Sequence, residues 1–163
     1  MLVIGLCGSI GSGKTAIAME ILFKACTGGN SAAICSMADP LKKLAVEHFG
    51  WDRKKDARGR ILLQILGTEA GREYNKDLWV DKLDSRVKKY SKETIVIVDD
   101  VRFDNEVEYI ENSGGKVFYI DRGDKIACTH KSENGIDYSK HKITVVDNNG
   151  VIDEAVEVIL NST

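Results

Sequence analysis

Residues 8–15 read Gly-Ser-Ile-Gly-Ser-Gly-Lys-Thr, the spacing G-x-x-x-x-G-K-[ST]. An apolar run, Leu2-Val3-Ile4-Gly5-Leu6, precedes it. A stretch with apolar residues at helical spacing follows it, Lys14 to Ala25 with Ile17, Ile21 and Leu22. This arrangement restricts the fold sharply, because a buried strand must pass into a helix through a loop whose backbone can approach an anion. Glycines let N–H groups come close to phosphate oxygens, Lys14 can reach β- and γ-phosphates, and the Thr15 hydroxyl can ligate Mg²⁺. The positive end of the helix dipole adds to the same site. Gly11, Ser12, Gly13, Lys14 and Thr15 are therefore expected to hold a nucleoside triphosphate. A glycine-rich turn with no ligand would require neither the lysine nor the threonine.

Beyond this loop, short β-branched runs alternate with longer amphipathic stretches. The spacing predicts strands over 2–6, 31–36, 94–98, 116–120 and 142–146. It predicts helices over 14–25, 40–49, 61–74, 78–90, 105–112 and 151–160. Ile95-Val96-Ile97-Val98 is unbroken in apolar character, which is how a strand buried on both faces of a parallel sheet reads. The alternation argues for a three-layer α/β fold. Residues 51–59, dense in charge, and 122–140, polar with little periodicity, read as irregular. In a compact domain such loops often serve as lids.

At 163 residues the chain suits one domain, 1–163. Its formal charge is −2, so no global basic field points to nucleic acid or a membrane as partner. Basic residues of any site must be placed locally. Cys7, Cys26, Cys35 and Cys128 form no C-x-x-C pair, and three sit in or beside apolar segments, as core thiols of a reducing compartment do. No signal peptide or membrane-length apolar run is present, and a cytoplasmic protein is expected.

Three further constellations bear on chemistry. The strand over 95–98 ends in Asp99-Asp100, four apolar residues followed by acid. That pattern places a carboxylate beside the phosphate loop, where it can hold Mg²⁺. Pattern alone does not choose between the two acids, and a solvated turn also ends this way. In a helix over 61–74, Arg60, Gln64, Thr68 and Arg72 fall four residues apart along one stripe, suited to a phosphate and a base edge or equally to solvent. Leu62, Leu63, Ile65 and Leu66 would then face the core. Gly67 and Gly71 weaken such a helix, which a ligand's close approach would explain. Asp39-Pro40-Leu41-Lys42 reads as an N-cap with Pro in the first turn, and it also puts Asp39 and Lys42 at the sheet's carboxyl edge. Trp79 is either a stacking platform or core. Arg122 closes the fourth strand, where a lid arginine could cover a transferring phosphoryl group. His130 and His141 read as surface residues. Asn149 and Gly150 follow the fifth strand, within reach of a bound nucleoside.

Taken together these residues resemble the phage-type deoxynucleoside monophosphate kinases of the P-loop kinase superfamily. The resemblance runs from Leu2 to about Leu160. Its motifs are Gly8 to Thr15; Ala38-Asp39-Pro40-Leu41-Lys42; Leu63-Gln64 with Gly67-Thr68-Glu69 and Arg72; Asp100-Val101-Arg102-Phe103 with Asn105-Glu106; His130-Lys131-Ser132-Glu133; and Asn149-Gly150. The first is shared by the whole superfamily, whereas the fourth and fifth are more particular. The resemblance implies a five-stranded parallel sheet in the order 2-3-1-4-5 with flanking helices, an acceptor-binding helical region over about 39–90 and a short lid over about 122–140. It implies transfer of the γ-phosphate of ATP to a deoxynucleoside 5′-monophosphate, with Mg²⁺. Lys14, Arg122 and Asp39 would be catalytic, with Asp39 orienting the acceptor. Arg60, Arg72 and Arg102 would hold the monophosphate. Gln64, Thr68 and Trp79 would line the nucleoside pocket, beside Lys42. Thr15 and Asp100 would serve the metal, Asp100 being favoured over Asp99. Small nucleotides are then the partners, with self-association as a homodimer the other option, in a host cytoplasm if the source is a phage. One departure is Asp104, where the family usually has Pro; Asp is expected there as an N-cap.

Rival readings are weaker. A P-loop kinase for another acceptor, such as dephospho-coenzyme A, shares the loop and the lid arginine but not the run from Asp100 to Glu106. A GTPase-like switch needs an N-K-x-D-type loop, and Asp147-Asn148-Asn149-Gly150 lacks its lysine. A motor subunit would carry further modules.

Overall fold

The computed structural model describes residues 1–123 and 135–163. Strands β1 (Leu2–Cys7), β2 (Ala32–Ile34), β3 (Ile95–Val98), β4 (Lys116–Asp121) and β5 (Ile143–Asp147) form one sheet. Their order is β2-β3-β1-β4-β5 and every neighbouring pair is parallel, as the resemblance implied. β1 is central, with Ile4 in register with Ile97 on one side and Lys116 on the other. From β1 the chain goes first to the edge at β2, returns to β3 beside β1, and then crosses to the other side for β4 and β5. The carboxyl ends of β1 and β3 therefore flank the crevice where such sheets bind ligands.

Among the described residues six α-helices accompany the sheet: α1 (Lys14–Thr27), α2 (Asp39–Phe49), α3 (Ala57–Gln64), α4 (Leu78–Val87), α5 (Asp104–Asn112) and α6 (Ile152–Ser162). Alternate strand residues point to opposite faces, so each face needs its own cover. Val3, Val96, Val98 and Val117 pack under Leu83 and Val87 of α4 and Val107 and Ile110 of α5. Ile4, Leu6, Ile97, Phe118 and Val146 pack under Ile17 and Ile21 of α1 and Val156 and Ile159 of α6. This double burial explains the unbroken apolar runs.

The expected helix over 61–74 differs most. It begins earlier, with Asp56 accepting from the Gly59 amide as N-cap, and passes after Gln64 into a π-helix, Ile65–Arg72. Its apolar residues do not form a core face. Ile61 and Ile65 are half-exposed, and Leu63 faces a cleft. The wider turn accommodates Trp79 of α4, whose indole N–H donates to the Gly67 carbonyl at 2.8 Å. A Cβ on Gly71 would lie 2.7 Å from Trp79 Cζ2, and one on Gly67 would lie 3.0 Å from Leu41 Cδ2. Protein side chains, not a ligand, thus account for both glycines.

Four smaller expectations are corrected. Ala38 and Phe103, not Asp39 and Asp104, occupy the N-cap positions, and each aspartate is the first residue of its helix. Asp104 instead accepts from the Asp137 amide at 2.7 Å and lies 3.1 Å from His141 Nε2. The His141 imidazole is buried between Asp104 and Glu111, not at the surface. Cys7 and Cys35 are core thiols, but Cys26 is exposed. Of residues 51–59, read as irregular, 57–59 open α3; 51–56 hold no helix or strand, and there buried Trp51 donates its indole N–H to the Lys54 carbonyl at 3.0 Å.

Gly71→Ala is expected to destabilise the fold by about 1–3 kcal/mol through overpacking against Trp79, despite alanine's better helix propensity. Gly67→Ala should cost less, because only the flexible end of Leu41 must give way. Urea unfolding midpoints check the ranking, and a Gly71→Ala protein as stable as the parent would refute the wedge.

Candidate active site

The loop between β1 and α1 is held in a conformation that only glycine adopts freely. Gly8, Gly11 and Gly13 have φ of 135°, 83° and 96°. A Cβ on Gly8 would meet the Ile120 carbonyl at 2.5 Å, and one on Gly13 would meet Asn148 Nδ2 at 2.4 Å. The Asn148 amide donates to the Ser12 carbonyl at 2.7 Å and so fastens the loop to the end of β5. Lys14 curls over the loop and donates to the Gly8 and Ser9 carbonyls at 2.9 and 2.8 Å. Burial, aided by the Arg102 charge, lowers its ammonium pKa to about 8.

The two acids after β3 have different surroundings. Asp100 accepts from the Met37 and Ala38 amides at 2.7 and 3.0 Å and so anchors the start of α2. Its burial, then the neighbouring Asp99, push its pKa up. Asp99 takes the Ser36 hydroxyl on one oxygen and faces the Thr15 hydroxyl at 3.5 Å with the other. The structure thus brings Asp99, not Asp100, to Thr15.

Opposite the loop, α3 and the π-helix close a cleft of about 340 Å³, at the small end of the range for ligand pockets. Gly11, Lys14, Thr15, Asp99 and Asp100 line one bank; Lys42, Arg60, Gln64, Thr68, Arg72, Trp79 and Arg102 line the other. The four-residue stripe from Arg60 to Arg72 survives the change of helix type. In an α-helix a four-residue step overshoots one turn and in a π-helix it falls short, so the two drifts offset each other. Six lysines and arginines against three acids line this cleft in a chain of net charge −2. The positive charge is local, as the composition required, and it suits an anionic guest.

Arg72 is the most constrained cation. It pairs with buried Glu106, lies with its carbon 3.7 Å from the centroid of the Phe103 ring, and donates to the Lys76 carbonyl and Asn105. Glu106, the third residue of α5, reaches back to accept the Phe103 and Arg102 amides at 3.2 and 2.6 Å. Burial raises its pKa to about 7 against the pull of Arg72 and these amides. Arg60 is exposed and donates through Nε to the Lys55 carbonyl at 2.9 Å.

Other expected residues stand apart from the cleft wall. Asp39 is held at the rim by Arg86 at 3.0 Å and by Lys42 at 3.4 Å. Arg122 donates to the Gly11 carbonyl at 3.3 Å. Asn149 and Gly150 follow Asn148, with the Asn149 side chain against Gly123. The segment His130 to Glu133 lies outside the described residues, as does Cys128.

Sequence reasoning assigned no role to Asn148, Ser36, Lys55, Arg86 or Glu106. Asn148 was within reach, because one residue past β5 it continues the alternation that turns Val146 inward. Glu106 was signalled by its place three residues after an extended N-cap. Arg86 and Ser36 leave no local trace.

A phosphate-gripping loop facing a bank of guanidinium groups across the crevice of this sheet defines a nucleotide-binding protein built like the small-molecule P-loop kinases. Its fold is shared by shikimate kinase from Aquifex aeolicus vf5 (15% identity, TM-score 0.56, covering 99% of this chain and 95% of that one). A gluconokinase from Sinorhizobium meliloti 1021 is similar too (14%, TM-score 0.52, covering 98% and 90%). More particularly, the family profile described as deoxynucleotide monophosphate kinase matches residues 14–159. A protein of Acanthamoeba polyphaga mimivirus, provisionally named a deoxynucleotide monophosphate kinase, is 30% identical over 193 aligned positions, covering 99% of this chain and 95% of the relative. The chain belongs to the deoxynucleotide monophosphate kinase family, and it phosphorylates a deoxynucleoside monophosphate. That membership decides against the dephospho-coenzyme A, switch and motor readings.

If Lys14 grips the triphosphate it does so as the ammonium, so kcat/KM for ATP should hold below pH 8 and fall above it, with an apparent pKa near 8. A pH–rate profile checks this, and a flat profile to pH 10 would contradict the burial of this ammonium. Lys14→Ala should abolish turnover while leaving the thermal melt intact.

Proposed function

We propose that the two banks of this cleft seat ATP and the deoxynucleoside 5′-monophosphate together, and that the γ-phosphoryl passes directly between them. The carrying observation is that Lys14 and Thr15 share one cleft with Arg72 and Arg102. Gly11 to Thr15 bind the triphosphate tail through backbone amides and the Lys14 ammonium, which leaves the Gly8 and Ser9 carbonyls to do so. Arg72 and Arg102 hold the acceptor's phosphate, with Arg60 and Lys42 adding charge at the rim. Gln64 and Thr68 contact the nucleoside against the Trp79 edge. A phosphate oxygen of the acceptor attacks the γ-phosphorus, the bond to the β-bridging oxygen breaks, and ADP and the deoxynucleoside diphosphate leave. The acceptor oxygen is already ionised, so no general base is needed. Positioning and neutralisation of charge supply the catalysis. Residues 39–90 form the acceptor side, and Arg122, at the start of the expected lid, turns from Gly11 to the transferring group; residues 124–134 of that stretch lie outside the described residues. Asp39, fixed by Arg86, orients this side from the rim.

The donor set beside the loop fits Mg²⁺: a hydroxyl, a carboxylate and no soft ligand, with room for phosphate and water. Thr15 and Asp99 would hold it, Asp99 being better supported than Asp100 because its free oxygen faces Thr15. Held there, Mg²⁺ would supply positive charge that offsets the negative charge of the donor's phosphates. Buried free thiols at Cys7 and Cys35 support action in a reducing cytoplasm, the host's if the source is a phage.

Arg72→Ala and Arg102→Ala should each raise the acceptor KM about tenfold or more and leave the ATP KM within about twofold, read by coupled ADP release across the common dNMPs and NMPs. Equal effects on both substrates would reject the acceptor bank. Asp99→Asn should raise the Mg²⁺ concentration needed for half-maximal rate well above the shift produced by Asp100→Asn. The reverse order would return the metal to Asp100.

A further inference from the structure

Glu106 has no part in the chemistry above, yet it is among the largest fully buried side chains of the protein, at 1% exposure. A buried carboxylate is costly unless its oxygens are fully engaged. Here one oxygen pairs with Arg72 Nη2 and the other accepts the amides of Arg102 and Phe103. One side chain thus joins the end of the π-helix to the segment that leaves β3. Those are the two places from which arginines reach the acceptor bank.

The remaining contacts of Arg72 narrow its freedom further. Phe103 covers one face of the guanidinium, and Nη1 donates to the Lys76 carbonyl and to Asn105. Of five N–H groups, Nε–H and one on Nη2 find no acceptor among the described residues. An arginine with three donors fixed and two open, on a cleft wall, is aimed before any guest arrives. Preorganisation of this kind lowers the entropy lost on binding.

We propose that Glu106 is the positioning residue of the acceptor-phosphate site, aiming Arg72 and setting the backbone of Arg102. The assignment rests on the acceptor bank described above.

The test is a cycle of Glu106→Gln, Arg72→Ala and the double variant, with acceptor and ATP KM measured separately for the dNMP that turns over fastest. Glutamine keeps the shape but turns an amide N–H₂ toward donors that need an acceptor. Glu106→Gln should raise the acceptor KM about tenfold while leaving the ATP KM and the thermal melt near those of the parent. On the Arg72→Ala background the same change should add less than about threefold, because its effect runs through that guanidinium. Should the glutamine variant fold poorly, Glu106→Asp retains the charge, falls short of Arg72, and should show the same split between substrates. A folded Glu106→Gln with the parent's acceptor KM overturns the proposal. So does full additivity with Arg72→Ala, which would mark a merely structural carboxylate. If Arg72→Ala itself leaves the acceptor KM unchanged, the acceptor bank fails and the proposal with it. If Arg72→Ala acts and Glu106→Gln does not, only the positioning role falls.

Discussion

The architecture depends on a lack of space around the phosphate loop. Gly8 presses against the Ile120 carbonyl and Gly13 against Asn148, so the loop is confined by the ends of β4 and β5 as well as by its own bonds. A loop held from outside keeps its amides pointed inward with no ligand present. Electrostatic sites work best when built this way, because dipoles that need not reorient lose nothing when charge arrives. The cost appears at Lys14, whose ammonium is buried against two carbonyls and sheds its proton more readily than an ordinary lysine.

Much of this was readable from residues. The loop, its flanking strand and helix, the unbroken apolar strands and the carboxylate after β3 follow from local pattern. The strand order came from the family resemblance, and the parallel pairing agrees with it. The stripe of Arg60, Gln64, Thr68 and Arg72 was legible because a four-residue step brings each side chain within about one turn of the next, although the row stays straight only because the π-helix offsets the drift of the α-helix before it. What escaped was set by distant contact. Nothing near Gly67 or Gly71 announces Trp79, and that indole decides both the glycines and the helix geometry. The exposed Ile61 and Ile65 misled for the same reason, since periodicity assigns an apolar face without knowing whether anything packs there. The choice between Asp99 and Asp100 turned on the amides of Met37 and Ala38, more than sixty residues away. Asp104 and His141 likewise meet only in three dimensions.

Charge in the cleft is arranged in pairs of unlike purpose. Glu106 is buried and Asp100 half-buried, and both hold backbone amides, so they shape the site. Asp99 keeps an oxygen toward Thr15, where a cation would be welcome. A single acidic cluster could not do both, because like charges brought together would raise one another's proton affinity. That tendency is already visible at Asp100. Separating the acids that hold backbone amides from the one that faces Thr15 lets the cleft remain cationic overall while still presenting a carboxylate beside the phosphate loop.

The π-helix connects these features. It opens the turn that admits Trp79, and Trp79 in turn lines the cleft. Its last residue is Arg72, whose guanidinium Glu106 then fixes to the start of α5. A regular α-helix over the same residues would rotate Arg72 away from Arg60 and tighten the turn around Gly67. The cleft would lose its straight row of donors and its indole edge together. The irregular backbone is therefore the element that brings the acceptor bank into line with the phosphate loop, and its glycines are the concession that keeps it there.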